Sequence, residues 1–331
     1  MNLEQRVGQQ LVVGVPGTAL TDELAQHLRI IRPGGFIPFA SNFQSPEQFR
    51  ALIASLHEVC DRQLVVMVDH EGGRVVRFGS GMTRFPDALT VGQTRRPAEV
   101  LQQGLIEGRE LKALGVDVNL APCVDVLVEG ADPVIGTRSY GSDPRQVTAM
   151  GVARIQGLQQ ARVAACAKHF PGIGAVPRDP HVDLPTVDVD WEEIRRVHLV
   201  PFVDAIEAGV ATIMSSHVCY PALGLAPDLP ATFSSRLIRA LLRQELGFNG
   251  VILSDDLEMG ALRNLCTIGE AAVRAVEAGH DLVLICSELS AQRQVLHALG
   301  EAYRSGRLSL DELDHTLTRL QHLRQRVGQA P

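Results

Sequence analysis

The hydrophobic positions of the chain form short continuous runs that are separated by longer segments of mixed polarity. Such runs are rich in Val and Ile and do not alternate with polar residues, which is typical of strands buried on both faces of a parallel sheet. The pattern therefore predicts eight parallel strands. The runs are QLVVGV (10–15), GFIPF (35–39), LVVMV (64–68), VDVNLAP (116–122), VAACA (163–167), ATIMSS (211–216), GVILS (250–254) and DLVLIC (281–286).

The segments between these runs carry helix signals. In SPEQFRALIASLHEV, Ser45 is a predicted N-cap, Pro46 takes the first helical position and Gln48 completes a capping box. Four further segments place apolar residues about 3.6 positions apart; they are PAEVLQQGLIEGRELKALG, PRQVTAMGVARIQGLQQA, SSRLIRALLRQELG and GEAAVRAVEAG. Eight strands that alternate with helices predict an α/β fold, a (β/α)8 barrel of the TIM type, with a doubly wound open sheet as the alternative.

The length of the chain is compatible with one domain, because a (β/α)8 barrel takes about 250 residues or more. No internal repeat, low-complexity tract or long linker divides the sequence. We therefore expect residues 1–331 to form a single barrel domain. From about residue 290 onward, including the segment SLDELDHTLTRLQHL, we expect additional surface helices.

Composition and charge exclude several classes of partner. The net charge is −7 and the isoelectric point is near 5.9, which provides no basic surface for nucleic acid or anionic lipid. No apolar run approaches the roughly 20 residues that cross a bilayer, and no signal peptide is recognisable. The six cysteines include no C-x-x-C pair, which favours free thiols. We expect a cytoplasmic monomer that binds neither nucleic acid nor membrane.

Ionisable side chains follow five of the predicted strands, at the end where a (β/α)8 barrel carries its active site. Any one of them could cap a helix, pair with a neighbouring charge or bond a carbonyl. Together they exceed what packing requires. They are Asp69 after the third run, Arg138 in the loop after the fourth, Lys168 and His169 after the fifth, His217 after the sixth, and Asp255 with Asp256 after the seventh.

Several kinds of chemistry can be weighed against this set. His169, His181 and His217 could be combined into a metal site, but the nearby Lys and Arg repel a divalent cation, so we expect no metal. The chain has no G-x-S-x-G elbow, and PGIGAV lacks the rest of a dinucleotide fingerprint, so we expect no cofactor. A Schiff base on Lys168 remains an alternative. The mixed set also suits a small carbohydrate, whose anomeric carbon a strand-end carboxylate can attack.

Four motifs resemble, in this order, those of glycoside hydrolase family 3: DHEGGRVVRF, DPVIGTRSYGSDP, KHFPGIGAVPRDPH and VILSDDLEM. More narrowly, they are similar to its single-domain bacterial β-N-acetylhexosaminidases of peptidoglycan recycling, over about residues 7 to 290. The resemblance implies a TIM-type barrel that releases terminal β-linked N-acetylglucosamine with retention of configuration. Its substrates would be muropeptide fragments, namely GlcNAc-anhydro-N-acetylmuramic acid and its peptide derivatives.

The resemblance also implies roles for individual residues. Asp255 would be the nucleophile that forms a covalent glycosyl intermediate, and His181, oriented by Asp179, would be the acid/base. A histidine can donate a proton to the leaving oxygen and then take one from water near neutral pH. The residues expected to bind the sugar hydroxyls and acetamido group are Asp69, Arg77, Arg138, Lys168 and His169.

The chain departs from the family motifs at a few positions. Ile173 stands where a second His is usual, and Pro180 stands between the dyad partners, where it fixes φ and removes an N–H. His70 replaces a usual Gln, and Asp132 a usual Asn. The glycines and prolines of the loop predict a lid that closes over bound sugar. A GlcNAc phosphorylase, a β-glucosidase of the same family and a catalytically weakened sugar-binding barrel are the alternatives.

Overall fold

Eight parallel strands close into a barrel in the computed structural model, which describes residues 1–79, 81–131, 134–176 and 184–328. Each strand pairs with the next along the chain, and the first pairs with the eighth. The predicted (β/α)8 barrel is therefore confirmed. Strands β1 to β8 span Leu11–Val13, Gly35–Phe36, Val65–Val68, Val118–Asn119, Ala164–Phe170, Thr212–Ser215, Val251–Asp256 and Leu282–Ile285.

Helices surround the barrel. Helices α1 to α12 span Leu3–Gly8, Asp22–Ile31, Pro46–Cys60, Ala88–Thr94, Pro97–Ala113, Pro144–Gln160, Trp191–Glu193, Val200–Glu207, Gly260–Arg263, Ile268–Ala278, Leu289–Arg304 and Leu310–Arg326. π-Helical segments cover Ile194–His198 and Arg236–Glu245, the latter where an α-helix is predicted. Among the described residues, no helix has the length and apolar character to span a bilayer.

Two strands run beyond their predicted ends. The apolar runs stop at Ala167 and Ser254, whereas β5 continues to Phe170 and β7 to Asp256. Both extensions consist largely of polar residues, which a hydrophobic pattern does not count as strand. As a result Lys168, His169 and Asp255 are fixed by strand backbone rather than by loops.

The capping box that is predicted at the start of α3 is only half formed. The Ser45 hydroxyl accepts the backbone N–H of Gln48, as predicted. The Gln48 side chain, however, accepts the N–H of Gln44 instead of that of Ser45. It also donates to the carbonyl of Thr18 at 2.7 Å, which ties the start of α3 to the loop after β1.

The barrel interior is filled by apolar side chains from alternate strand positions, including Val12, Met67 and Leu253. Leu320 and Leu323 of α12 belong to the same buried cluster. The apolar face of α12 therefore covers the N-terminal end of the barrel, while most of the other side chains of this helix are exposed. The ionisable groups lie at the opposite end.

Candidate active site

A cavity of about 310 Å³ opens at the C-terminal ends of the strands. It brings together the predicted nucleophile and all five predicted sugar ligands. The predicted dyad, Asp179 and His181, lies outside the described residues. The cavity is lined by Asp69, Glu71, Arg74, Val75, Arg77, Val134, Arg138, Lys168, His169 and Asp255.

Lys168 sits between two carboxylates at the base of the cavity. Its Nζ lies 2.7 Å from an oxygen of Asp69 and 2.7 Å from one of Glu71, and its side chain is only 2% exposed. Burial opposes the ammonium charge, but the two carboxylates outweigh it and raise the pKa of Lys168. The lysine is therefore protonated, which disfavours the Schiff-base alternative because that chemistry needs a neutral amine.

Glu71 holds Arg138 in a fixed orientation over the cavity. Its two carboxylate oxygens accept Nε–H and Nη2–H of Arg138, each at 2.8 Å. Burial opposes the charge of Glu71, but Arg138 and Lys168 hold its pKa well below the usual range. Glu71 is a site residue that the sequence analysis did not assign, although it stands within the quoted DHEGG motif.

His169 is oriented by Asp125, a fully buried carboxylate after β4 that the sequence analysis missed. Asp125 accepts the ring Nδ1–H of His169 at 2.8 Å and its backbone N–H at 3.2 Å. The same carboxylate accepts the backbone N–H of Ile173 and the thiol of Cys123. The other ring nitrogen, Nε2, lies 3.3 Å from Nη2 of Arg138 at the cavity.

Asp255 ends β7 inside the cavity and is held in its ionised form. One of its oxygens accepts the backbone N–H of Asp256 at 2.8 Å. Burial opposes its charge, but His169, His217, that N–H group and Lys168 outweigh the burial and lower the pKa of Asp255. An ionised, partly desolvated carboxylate at a strand end is suited to nucleophilic attack.

The pKa of Asp256, the residue that follows Asp255, shifts in the opposite direction. Burial, with the charges of Glu258 and Asp255, raises the pKa of Asp256 to about 7. One Asp256 oxygen accepts the backbone N–H of Glu258 at 3.1 Å. Two adjacent carboxyl groups thus hold different protonation states near neutral pH.

His217, which follows β6, connects two described elements and is not among the described residues that line the cavity. Its Nδ1 lies 2.7 Å from the hydroxyl of Thr232, and its Nε2 lies 3.0 Å from the carbonyl oxygen of Asp256. The ring therefore connects the loop after β6 to the end of β7.

Arg154 of α6 supports the loop after β3 from below and was not predicted. It donates to the carbonyls of Glu71 and His70 and forms a buried ion pair with Glu107 at 2.7 Å. Asn119 of β4 also donates to Glu107 and to the His70 carbonyl. This network fixes the loop that presents Asp69 and Glu71.

His70 is a neutral, packed side chain. Its ring stacks on Phe78 with centroids 5.8 Å apart. Burial, together with the positive charges of Arg154 and Arg77, lowers the pKa of His70 to about 4. The position is therefore occupied by an uncharged ring at neutral pH.

The segment after β5 is tightly packed as far as residue 176. A Cβ on Gly172, whose φ is +119°, would lie 2.8 Å from the His198 side chain, and a Cβ on Gly174 would lie 1.7 Å from the Val126 carbonyl oxygen. Ile173 is 4% exposed and belongs to the apolar core. Gly172 and Gly174 therefore permit close approach of the backbone to its neighbours. The rest of the loop that is predicted to form a lid, residues 177–183, lies outside the described residues.

Cys123, Asp125 and His169 form the group of potential metal ligands among the described residues, with ligand atoms within 4.8 Å of one another. Burial and the charge of Asp125 raise the pKa of the Cys123 thiol well above its usual value. A neutral thiol that donates to Asp125 is a poor ligand, and Arg138 lies beside the ring of His169. All six cysteines are free thiols.

The chain is similar to a known family over nearly its whole length. A family model described as the glycosyl hydrolase family 3 N-terminal domain matches residues 2–323. A β-hexosaminidase of Nitrosomonas eutropha is 40% identical over 295 residues, which cover 87% of this chain and 84% of the relative.

Solved structures give the same result. A family 3 β-N-acetylglucosaminidase from Paenibacillus sp. str. FPU-7 superposes with a TM-score of 0.95 at 39% identity, over 99% of this chain and 63% of that one. NagZ from Neisseria gonorrhoeae, in complex with N-trifluoroacetyl-D-glucosamine, superposes with a TM-score of 0.78 at 31% identity, over 94% of this chain and 97% of that one.

Proposed function

The chain belongs to glycosyl hydrolase family 3 and is a β-hexosaminidase, and we propose that it is a retaining exo-β-N-acetylglucosaminidase. The observation that carries the proposal is Asp255, an ionised carboxylate at a strand end that faces a cavity lined by fixed polar groups. Its position suits attack on the anomeric carbon of a bound sugar.

In the proposed reaction, a carboxylate oxygen of Asp255 bonds to C1 as the bond between C1 and the leaving oxygen breaks. A proton from His181 goes to the leaving oxygen. Water then attacks C1 and gives a proton back to His181, while the bond to Asp255 breaks. Two inversions at C1 retain the β configuration.

The sugar would be held by the groups around Lys168. Arg77, Arg138 and Lys168 offer donors, and Asp69 offers acceptors, so that both kinds of hydroxyl contact are available. Each is itself fixed by ion pairs, and the site therefore needs little rearrangement when it binds a sugar.

The acid/base dyad rests on the resemblance of the D-P-H loop to the family motif. In the proposal, Asp179 accepts one ring N–H of His181 and stabilises the imidazolium form. The proposed substrates are muropeptide fragments with a terminal β-linked GlcNAc, cleaved in the cytoplasm by a monomer. These assignments also rest on the family resemblance.

The test uses an aryl β-N-acetylglucosaminide, with and without inorganic phosphate. The proposal predicts hydrolysis by wild type, no dependence on phosphate, and loss of turnover by about 10⁴-fold in Asp255→Asn. Formation of GlcNAc 1-phosphate would identify a phosphorylase instead. Full turnover by Asp255→Asn would refute the nucleophile.

His181 is tested by comparing two leaving groups. His181→Ala should impair hydrolysis of GlcNAc-anhydro-N-acetylmuramic acid much more than hydrolysis of a nitrophenyl glycoside, because the latter needs little protonation. Equal losses on both substrates would exclude His181 as the acid. Release of glucose but not GlcNAc would replace the proposed substrate with a β-glucoside.

A further inference from the structure

Three arginines lie together at the end of the barrel opposite the cavity. Arg32 is the residue at which α2 ends, Arg62 follows the end of α3, and Arg324 belongs to the last turn of α12. These elements are far apart in sequence. They meet where the helices return to the N-terminal ends of the strands.

The polar partners of two of these arginines are neutral. Nη1 of Arg324 donates to the side-chain oxygen of Gln9 at 3.1 Å. Nη2 of Arg62 lies 3.9 Å from the thioether sulfur of Met1, which is a weak acceptor. Within the described parts of the chain, neither guanidinium forms an ion pair with a carboxylate.

The third arginine has a weak ionic partner. Nη2 of Arg32 lies 3.7 Å from Asp61, whose side chain is 93% exposed and therefore mostly solvated. Four buried guanidinium nitrogens of these three arginines have no hydrogen-bond acceptor among the described residues. They are Nε of Arg32, Nη1 of Arg62, and Nε and Nη2 of Arg324.

The like charges act on one another. Burial, followed by the charge of Arg32, lowers the pKa of Arg62. Burial, followed by the charge of Arg62, lowers the pKa of Arg324 to about 10. The carboxylates of Asp61 and Asp117 act in the opposite direction, but Asp61 is mostly solvated and Asp117 is already bound by Nζ of Lys112 at 2.9 Å. The cluster is thus a half-buried patch of positive charge with too little counter-charge.

We propose that Arg32, Arg62 and Arg324 bind a small oxyanion of the phosphate or sulfate class. Buried N–H groups in folded proteins nearly always have an acceptor, which the protein, an ordered water or a bound ion can supply. A guanidinium fork matches the oxygen spacing of such an anion and binds it by charge-assisted hydrogen bonds. A tetrahedral oxyanion supplies several acceptor oxygens and the negative charge that the protein does not provide.

Binding would join three parts of the chain that are distant in sequence. An oxyanion held by α2, α3 and α12 stabilises the packing of α12 against the barrel. A ligand that binds only the folded state shifts the unfolding equilibrium towards that state. The site is separate from the cavity. It therefore acts on stability and leaves turnover unchanged.

The test follows thermal unfolding of the full chain against inorganic phosphate, with sodium chloride at matched ionic strength as reference. Saturating N-acetylglucosamine in all samples occupies the cavity at the other end. We expect a saturable rise of several degrees in the midpoint with phosphate. Parallel titrations with sulfate and with glycerol phosphate distinguish a free oxyanion from a phosphate monoester as the preferred ligand.

Arg62→Gln and Arg324→Gln should each weaken the apparent phosphate affinity at least tenfold. Arg29→Gln, on the exposed side of α2, is the matched control and should respond like wild type. Without phosphate, Arg324→Gln should unfold at the same or a higher temperature than wild type, because it removes repulsion. Lower stability would indicate a merely structural arginine.

Two further outcomes would overturn the proposal. One is a rise in midpoint with phosphate that does not saturate, as a general salt effect would produce. The other is an equal phosphate response in wild type and both arginine variants. Turnover of the aryl glycoside by Arg62→Gln, measured in parallel, should equal that of wild type, so that this result is independent of the proposed reaction.

Discussion

Asp125 accepts the Nδ1–H of His169 at 2.8 Å and thereby turns the other ring nitrogen toward the cavity. The carboxylate is fully buried, and its charge is compensated by hydrogen-bond donors around it. Positioning of this kind acts on catalysis through a neighbouring residue, as an aspartate does when it selects one tautomer of a catalytic histidine.

Asp125→Asn should lower kcat/KM for an aryl β-N-acetylglucosaminide by about 100-fold, because an amide can present an N–H to His169 and favour the wrong tautomer. Steady-state kinetics of Asp125→Asn and of a control variant would check this. Cys123→Ala is the control, since it removes a donor to Asp125 and keeps the carboxylate. Near-wild-type kinetics in Asp125→Asn would show that the ring needs no such support.

Glu71→Gln should lower the free energy of unfolding by about 3–5 kcal/mol, because it leaves Arg138 buried beside a neutral group. Glu71 is 5% exposed and holds that arginine through two hydrogen bonds. Urea unfolding measures the loss. Glu99→Gln, in an exposed ion pair with Arg95, should leave stability nearly unchanged. Equal effects of both substitutions would contradict the argument.

His70→Gln should reduce the loss of stability on acidification. The pKa of His70 is lowered to about 4 by burial, whereas an unfolded histidine titrates at about 6.5. Between these values the unfolded state binds a proton that the folded state does not, so stability falls as pH falls. Urea unfolding at pH 7, 6 and 5 should show a shallower fall in the variant. His315→Gln, at an exposed position, should follow wild type.

Asp256→Asn should have the opposite pH dependence. The pKa of Asp256 is raised to about 7, whereas an unfolded aspartate titrates at about 3.9. The folded state therefore keeps its proton longer, and its contribution to stability falls as pH rises from about 4 to about 7. The variant should gain stability relative to wild type over this interval and hold the gain at pH 8. An identical pH profile in Asp256→Asn would contradict this, and exposed Asp188→Asn serves as the reference.

Gly174→Ala should reduce turnover while the barrel remains folded. The new Cβ would overlap the carbonyl oxygen of Val126, so the chain must shift just before the loop that carries the predicted dyad. Gly79→Ala is the control, because its Cβ would meet nothing within 4 Å. Kinetics and circular dichroism should show lower kcat/KM with a native spectrum. Wild-type turnover in Gly174→Ala would show that activity does not depend on the close approach of Gly174 to Val126.

The fold could be predicted because buried parallel strands leave a strong signal in sequence. Runs such as LVVMV and DLVLIC cannot alternate when both faces are covered. The hydrophobic pattern did not predict the ends of β5 and β7, because Lys168, His169 and Asp255 are polar residues in strand conformation. Their position at the barrel mouth, rather than their hydrophobicity, accounts for them.

The residues that line the cavity could be predicted from the sequence. The residues that hold them in place through hydrogen bonds could not. Asp69, Lys168 and Asp255 directly follow or extend apolar runs, and strand ends in a barrel converge. Asp125 and Arg154 make their contacts with residues 44 and more than 80 positions away, respectively. A single sequence contains no local pattern for such long-range pairs. The proposed oxyanion cluster has the same character.

The position of α12 also has a consequence for biosynthesis. Leu320 and Leu323 pack beneath strands that are translated long before them, and the carbonyl of Val327 accepts Nζ of Lys112 at 2.8 Å. The N-terminal end of the barrel can therefore be covered only after residues up to 327 have left the ribosome, when all eight strands have already been synthesised.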